Sequence, residues 1–178
     1  MGYDLEWADL PEPGATARAR FGACADLGEC AHAPPCLEEY ERLAARYRFH
    51  LNIAGMAFCR DGMRRTGMTY QATPQPFPAW RFDGIDDWRS ADQSRRDAYN
   101  EAEWAASAQT IPGMVGIPEF KLTSNGPWLV GAREIKEALN CYQASAPSLR
   151  AELDGEDLWV AWLDWLRGTV SHGGFIVE

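Results

Sequence analysis

Cys24, Cys30, His32 and Cys36 place three thiols and an imidazole within thirteen residues, the donor types and the number that a tetrahedral zinc ion takes. Their spacing opposes that chemistry. Structural zinc sites usually take cysteines in close pairs two to four residues apart, whereas five residues separate each of these cysteines from the next. The pattern therefore predicts buried or idle thiols, with no resident metal and no cofactor. Five cysteines in the chain is an odd number, which leaves a complete disulfide framework unsupported.

His50 is the second place where chemistry is conceivable, because Asn52 and Arg48 flank it and together offer a polar pocket. Only three histidines exist, His32, His50 and His172, and no Gly-x-Ser-x-Gly turn or His-Glu-x-x-His helix anchors a catalytic constellation. The third place is the turn at Ser124 and Asn125 beside Lys121, where side-chain donors and exposed amides cluster ahead of a helix start. A purely architectural account is equally complete: Asn125-Gly126 makes the turn and Lys121 solvates it. Glycine-rich phosphate loops and calcium-loop carboxylate spacing are both missing from the sequence.

The net charge of -9 argues against nonspecific attachment to nucleic acid or anionic lipid, since those partners require a cationic field. Between Arg42 and Arg65 the balance reverses locally, with Arg42, Arg46, Arg48, Arg60, Arg64 and Arg65 against Asp61 alone. Arg60, Arg64 and Arg65 form a candidate contact patch, because the guanidinium fork suits carboxylate recognition; the alternative is that they answer the chain's own carboxylates. Arg supplies 15 of the 17 basic residues, a bias that a high-GC genome also produces.

These residues need elements to hold them. Tyr3, Leu5 and Trp7 alternate with Asp4 and Glu6, which predicts a half-buried strand ended by Pro11 and Pro13; residues 14 to 35 have no period and read as an irregular excursion. Leu37, Tyr40, Ala44, Tyr47, Leu51, Ala54 and Phe58 recur at steps of three and four, predicting a helical stripe, with a break near Phe49 to Gly55 as the alternative. Thr73 to Trp80 carries three prolines and reads as an extended wrap that pins Phe77 and Trp80 at the core edge. Ser90-Ala91-Asp92-Gln93 resembles a capping box opening a helix whose alanines suggest close packing. Phe120, Leu122, Trp128 and Val130 alternate about Asn125-Gly126, predicting a short or edge hairpin, shortened by Pro127. A helix follows with Ile135, Leu139 and Tyr142 inward, then one carrying Trp159, Trp162, Leu163, Leu166 and Val170. Gly173-Gly174 gives a left-handed stop before a terminal strand.

Gly116-Ile117-Pro118, Lys121-Leu122, Ser124-Asn125-Gly126, Trp128-Leu129-Val130 and His172-Gly173-Gly174-Phe175, with Phe49-His50-Leu51-Asn52-Ile53 and Gly55-Met56, resemble a group of small proteins of actinobacteria and their phages that has no established activity. The likeness covers about two thirds of the chain. It implies a shared fold and a phage or host-accessory origin, and carries over no catalytic residue. Members tend to have Thr-Pro where Gly131-Ala132 stands here, which leaves the helix start without that cap.

The sequence thus predicts one α+β domain over 1–178, with about four helices on a small, mainly antiparallel sheet. The helices are expected over most of 37 to 47, 91 to 107, 133 to 143 and 157 to 170, with Trp162 and Leu166 buried. No apolar run approaches the roughly 18 residues of a membrane span, and the acidic N-terminal residues are unlike a secretory signal, so the expected setting is cytoplasmic. Two functions are open: a non-enzymatic module that binds another protein through aromatic and charged surfaces, and a small enzyme or ligand binder around His50, Asn52 and Asn125.

Overall fold

The computed structural model describes residues 2–11, 15, 16, 19, 33–78, 90–123 and 126–177. Among them lie six α-helices and a four-stranded antiparallel sheet, an α+β fold. The elements are β1 (Gly2–Trp7), α1 (Ala33–Ala44), β2 (Arg48–Asn52), α2 (Ile53–Arg65), β3 (Thr69–Tyr70), α3 (Gln93–Ser107), β4 (Ile117–Pro118), β5 (Trp128–Gly131), α4 (Ala132–Ala144), α5 (Pro147–Leu153), α6 (Asp157–Thr169) and β6 (Gly174–Val177). The main sheet runs β2-β1-β6-β5, so the strands nearest the two ends of the chain are the central pair. The short β3 and β4 pair in parallel outside it.

Register divides the sheet's side chains, since cross-strand partners share a face. Leu5 faces Phe49 and Val177, and Val130 faces Phe175, on the side covered by α2, α4 and α6. Glu6 faces Arg48 and Ile176, and Ile176 faces Leu129, on the opposite side. The covered side holds the core. Trp162 packs edge-on to Phe175 at 6.0 Å and on Phe49 at 5.7 Å, and Trp165 lies 5.0 Å from Phe175. Trp159, Trp162 and Leu166 have no exposed surface, as the stripe on the last helix requires.

Two glycines permit close approaches. At Gly62 an added Cβ would sit 2.6 Å from Trp159 Cζ3, so the missing side chain lets α2 lie directly on α6. Gly174, at φ 111°, meets the Val130 carbonyl where β6 enters the sheet, and Gly173 before it is left-handed at φ 76°, the expected stop.

Several expectations are corrected. The helical stripe from Leu37 breaks where the alternative placed it, near Phe49 to Gly55, but the break is a strand: α1 stops at Ala44, and residues 48 to 52 form β2, because β-strand pairing with β1 packs Leu51 and Phe49 against the core. A new helix then starts at Ile53, capped by the Asn52 side chain, which accepts from Gly55 N at 2.7 Å. Its buried face is Met56, Cys59, Gly62 and Met63, leaving Ala54 exposed. Helix α3 is capped by Asp92, accepting from Arg95 N at 2.8 Å, rather than by Ser90. Its alanines Ala98, Ala102 and Ala105 are exposed, and Ser107 is its one buried residue.

The hairpin expected about Asn125-Gly126 is also absent in that form. Residues Glu119–Leu122 make a 3-10 turn, and β5 takes β6 as its partner. Alternation of Phe120 and Leu122 mimicked a strand, but all four residues of the turn are buried, including both charges. Phe77 does anchor the extended segment, 4.7 Å from the Trp128 ring. Trp80 and most of the excursion from 14 to 35 lie outside the described residues.

Candidate functional site

Lys121 is the sharpest departure from expectation: it is 0% exposed, where the turn reading placed it in water. Its Nζ lies 2.9 Å from both carboxylate oxygens of Glu134 and donates to the Leu129 carbonyl at 2.7 Å. Glu134, the third residue of α4, also accepts from Gly131 N at 2.8 Å, so one carboxylate caps the helix and neutralises the lysine. Burial lowers the Lys121 pKa and raises that of Glu134, and in each case the partner's charge opposes the shift. By taking the Leu129 carbonyl, Lys121 occupies a backbone acceptor of edge strand β5. The role is architectural.

The three arginines of the expected contact patch turn inward or onto the protein's own acids. Arg60 donates to the Leu122 carbonyl at 3.2 Å, Arg64 binds the buried Glu119, and Arg65 reaches Glu152 at 2.8 Å. Glu119 is further held by the Gln71 amide. Two of the three therefore answer carboxylates brought in from distant parts of the chain.

On the opposite sheet face, β1 and β2 carry a polar row. His50 Nδ1 lies 2.8 Å from Asp4 Oδ1, and in the next pair on that face Arg48 Nε donates to Glu6 at 2.7 Å. Glu6, expected at the surface, is only 4% exposed because Tyr40 of α1 covers it, the hydroxyl lying 2.6 Å from both oxygens. The Arg48 guanidinium also lies 4.9 Å over the Tyr40 ring. Burial and then the Glu6 carboxylate raise the Tyr40 pKa, so it stays a phenol that donates. Glu6, Tyr40 and Arg48 satisfy one another and leave nothing to react. The His50–Asp4 pair is exposed and has the geometry of an oriented base, but no hydroxyl or thiol is hydrogen-bonded to His50 among the described residues.

Of the pocket expected around His50, Asn52 and Asn125, the first two lie on one strand and Asn125 lies outside the described residues. His50 and Asn52 sit on β2, while Lys121 binds β5 at the opposite edge, about three strand spacings or roughly 14 Å away. Ser124 and Asn125 lie outside the described residues, as do Cys24, Cys30 and His32; Cys36 falls in α1. No group of metal-ligating side chains occurs among the described residues.

A feature that sequence reasoning missed lies at the β5 end of the same face. Helix α3 stands off β5 and β6, leaving a cleft of about 330 Å³ lined by Asn100, Glu103, Trp104, Ser107, Pro127, Leu129 and Ile176. Leu129 and Ile176 are cross-strand partners and form an apolar floor. Trp104 is 54% exposed at its wall, while Ser107 spends its hydroxyl on the Trp104 carbonyl at 2.7 Å. The available signal was Trp104 itself, set among alanines and acids on a helix with little apolar surface to bury. Elsewhere a shallower groove of about 390 Å³ runs between α4 and α6 beside Lys136 and Arg167.

Comparison with protein-family models, curated proteins and solved structures finds no match to the chain. No helix among the described residues is long and apolar enough to cross a membrane.

Proposed function

We propose that this protein is a cytoplasmic accessory protein of phage or actinobacterial origin that binds another protein and performs no catalysis. The exposed Trp104 over the cleft beneath α3 is the observation that carries this reading. Aromatic side chains beside a desolvated pocket are the residue type that anchors interfaces, and a helix that buries one residue of fifteen leaves its outer faces available. The contact surface is therefore α3 and its cleft, with the arginines of α2 engaged within the fold. The test compares retention of a host protein by the immobilised wild type and by Trp104→Glu, matched for fold by circular dichroism, followed by reconstitution from the two purified components. A reconstituted partner bound equally by both overturns the surface.

A second reading, a small enzyme or ligand binder, is favoured by the exposed His50–Asp4 pair. Turnover of a small substrate that disappears in a folded His50→Ala variant would decide for it.

A further inference from the structure

The lining of the α3 cleft is asymmetric in charge: among the described residues Glu103 is its one charged residue, and none of them brings a cationic side chain to it. Among the described residues the Glu103 carboxylate has a single long contact, from the Tyr99 hydroxyl at 3.4 Å, which leaves it most of its capacity to accept hydrogen bonds. Next to it stands the exposed Trp104 ring, whose face attracts a cation, and below lie Pro127, Leu129 and Ile176, which accept an aliphatic stem. A volume of about 330 Å³ is at the low end for a ligand pocket and suits one or two side chains rather than a cofactor. The net charge of -9 draws cationic partners toward the surface.

We infer that the cleft seats a cationic side chain, Arg or Lys, of the partner protein, with an adjacent aliphatic residue on the Leu129–Ile176 floor. The inference rests on the binding-module reading and names its anchor chemistry. Glu103 supplies the charge-assisted acceptor, Trp104 the stacking face, and the floor removes both from water.

Isotope-labelled full-length protein is titrated with two capped tetrapeptides, Gly-Leu-Arg-Gly and Gly-Leu-Gln-Gly, and with free guanidinium as the small-cation control. The Trp104 indole resonance is assigned by its loss in Trp104→Phe. The Arg peptide is expected to shift that resonance together with the Leu129 and Ile176 amides, to bind about tenfold tighter than the Gln peptide, and to lose that margin in Glu103→Gln. Equal binding of the two peptides, an unchanged margin in Glu103→Gln, or no shift with either peptide overturns the cationic anchor. Guanidinium as effective as the Arg peptide overturns a protein partner in favour of a small cation. If the anchor fails while a reconstituted partner is still lost on Trp104→Glu, the binding-module reading stands; a partner indifferent to Trp104→Glu removes both.

Discussion

Replacing Lys121 by Met removes the ammonium and keeps most of the stem's volume, leaving Glu134 buried with Gly131 N as its remaining close donor. The folded variant must hold a buried carboxylate without its counter-ion or protonate it. Protonating a carboxyl of ordinary pKa near 4.3 at neutral pH costs about 4 kcal/mol, which caps that part of the loss and agrees with the roughly 3 to 5 kcal/mol expected for breaking a buried pair. Burial raises Glu134 in the wild type, and losing the lysine raises it further. The stability carried by an acid with a raised pKa is complete below its unfolded value and is lost as pH rises through its folded value. Lys121→Met should therefore recover about 1.4 kcal/mol for each unit of acidification from neutral toward about pH 5. Glu134→Gln must behave oppositely: Lys121, already lowered by burial, loses its counter-ion, and stability returns as pH rises toward the ordinary lysine value. Urea unfolding followed by Trp fluorescence across that pH range measures both slopes. Parallel slopes for the two variants, or a loss in Lys121→Met below about 1 kcal/mol at neutral pH, would refute the account.

Further perturbations test the packing. Trp162→Ala empties a fully buried site between Phe49 and Phe175 and should cost about 3 to 5 kcal/mol by denaturant unfolding; a loss below about 1 kcal/mol is incompatible with that placement. Gly62→Ala gains up to about 1 kcal/mol of helix propensity but drives a methyl to 2.6 Å from Trp159, whose ring is backed by Tyr142, so overpacking of about 1 to 3 kcal/mol should leave a net lowering of Tm. An unchanged or raised Tm contradicts the close α2–α6 approach. Tyr40→Phe withdraws a donor from the buried Glu6 and should cost about 1 to 3 kcal/mol, with Arg48 still in place; a neutral result means that water reaches Glu6.

Where local pattern and final burial coincide, the sequence sufficed. The stripe on α6, the strand at Tyr3 to Trp7, the glycine stop and the terminal strand each depend on one face finding any core, and periodicity reports that need directly. The α+β class follows from the same patterns. Position in three dimensions was decided elsewhere. The glycines allowed a break near Phe49 to Gly55, but nothing local to Arg48–Asn52 distinguishes a helix from a strand; pairing with β1 does, and it makes the break a strand between α1 and α2. Lys121 and Glu6 read as surface charges, and Glu119 drew no reading, because their partners Glu134, Arg48 and Arg64 lie 13, 42 and 55 residues away. A charge's cost of burial is set by its neighbours in space, so only the tertiary structure could make these three internal. The cleft under α3 is of the same kind: its walls come from residues 100 to 107, 127 to 129 and 176, which no sequence window contains together.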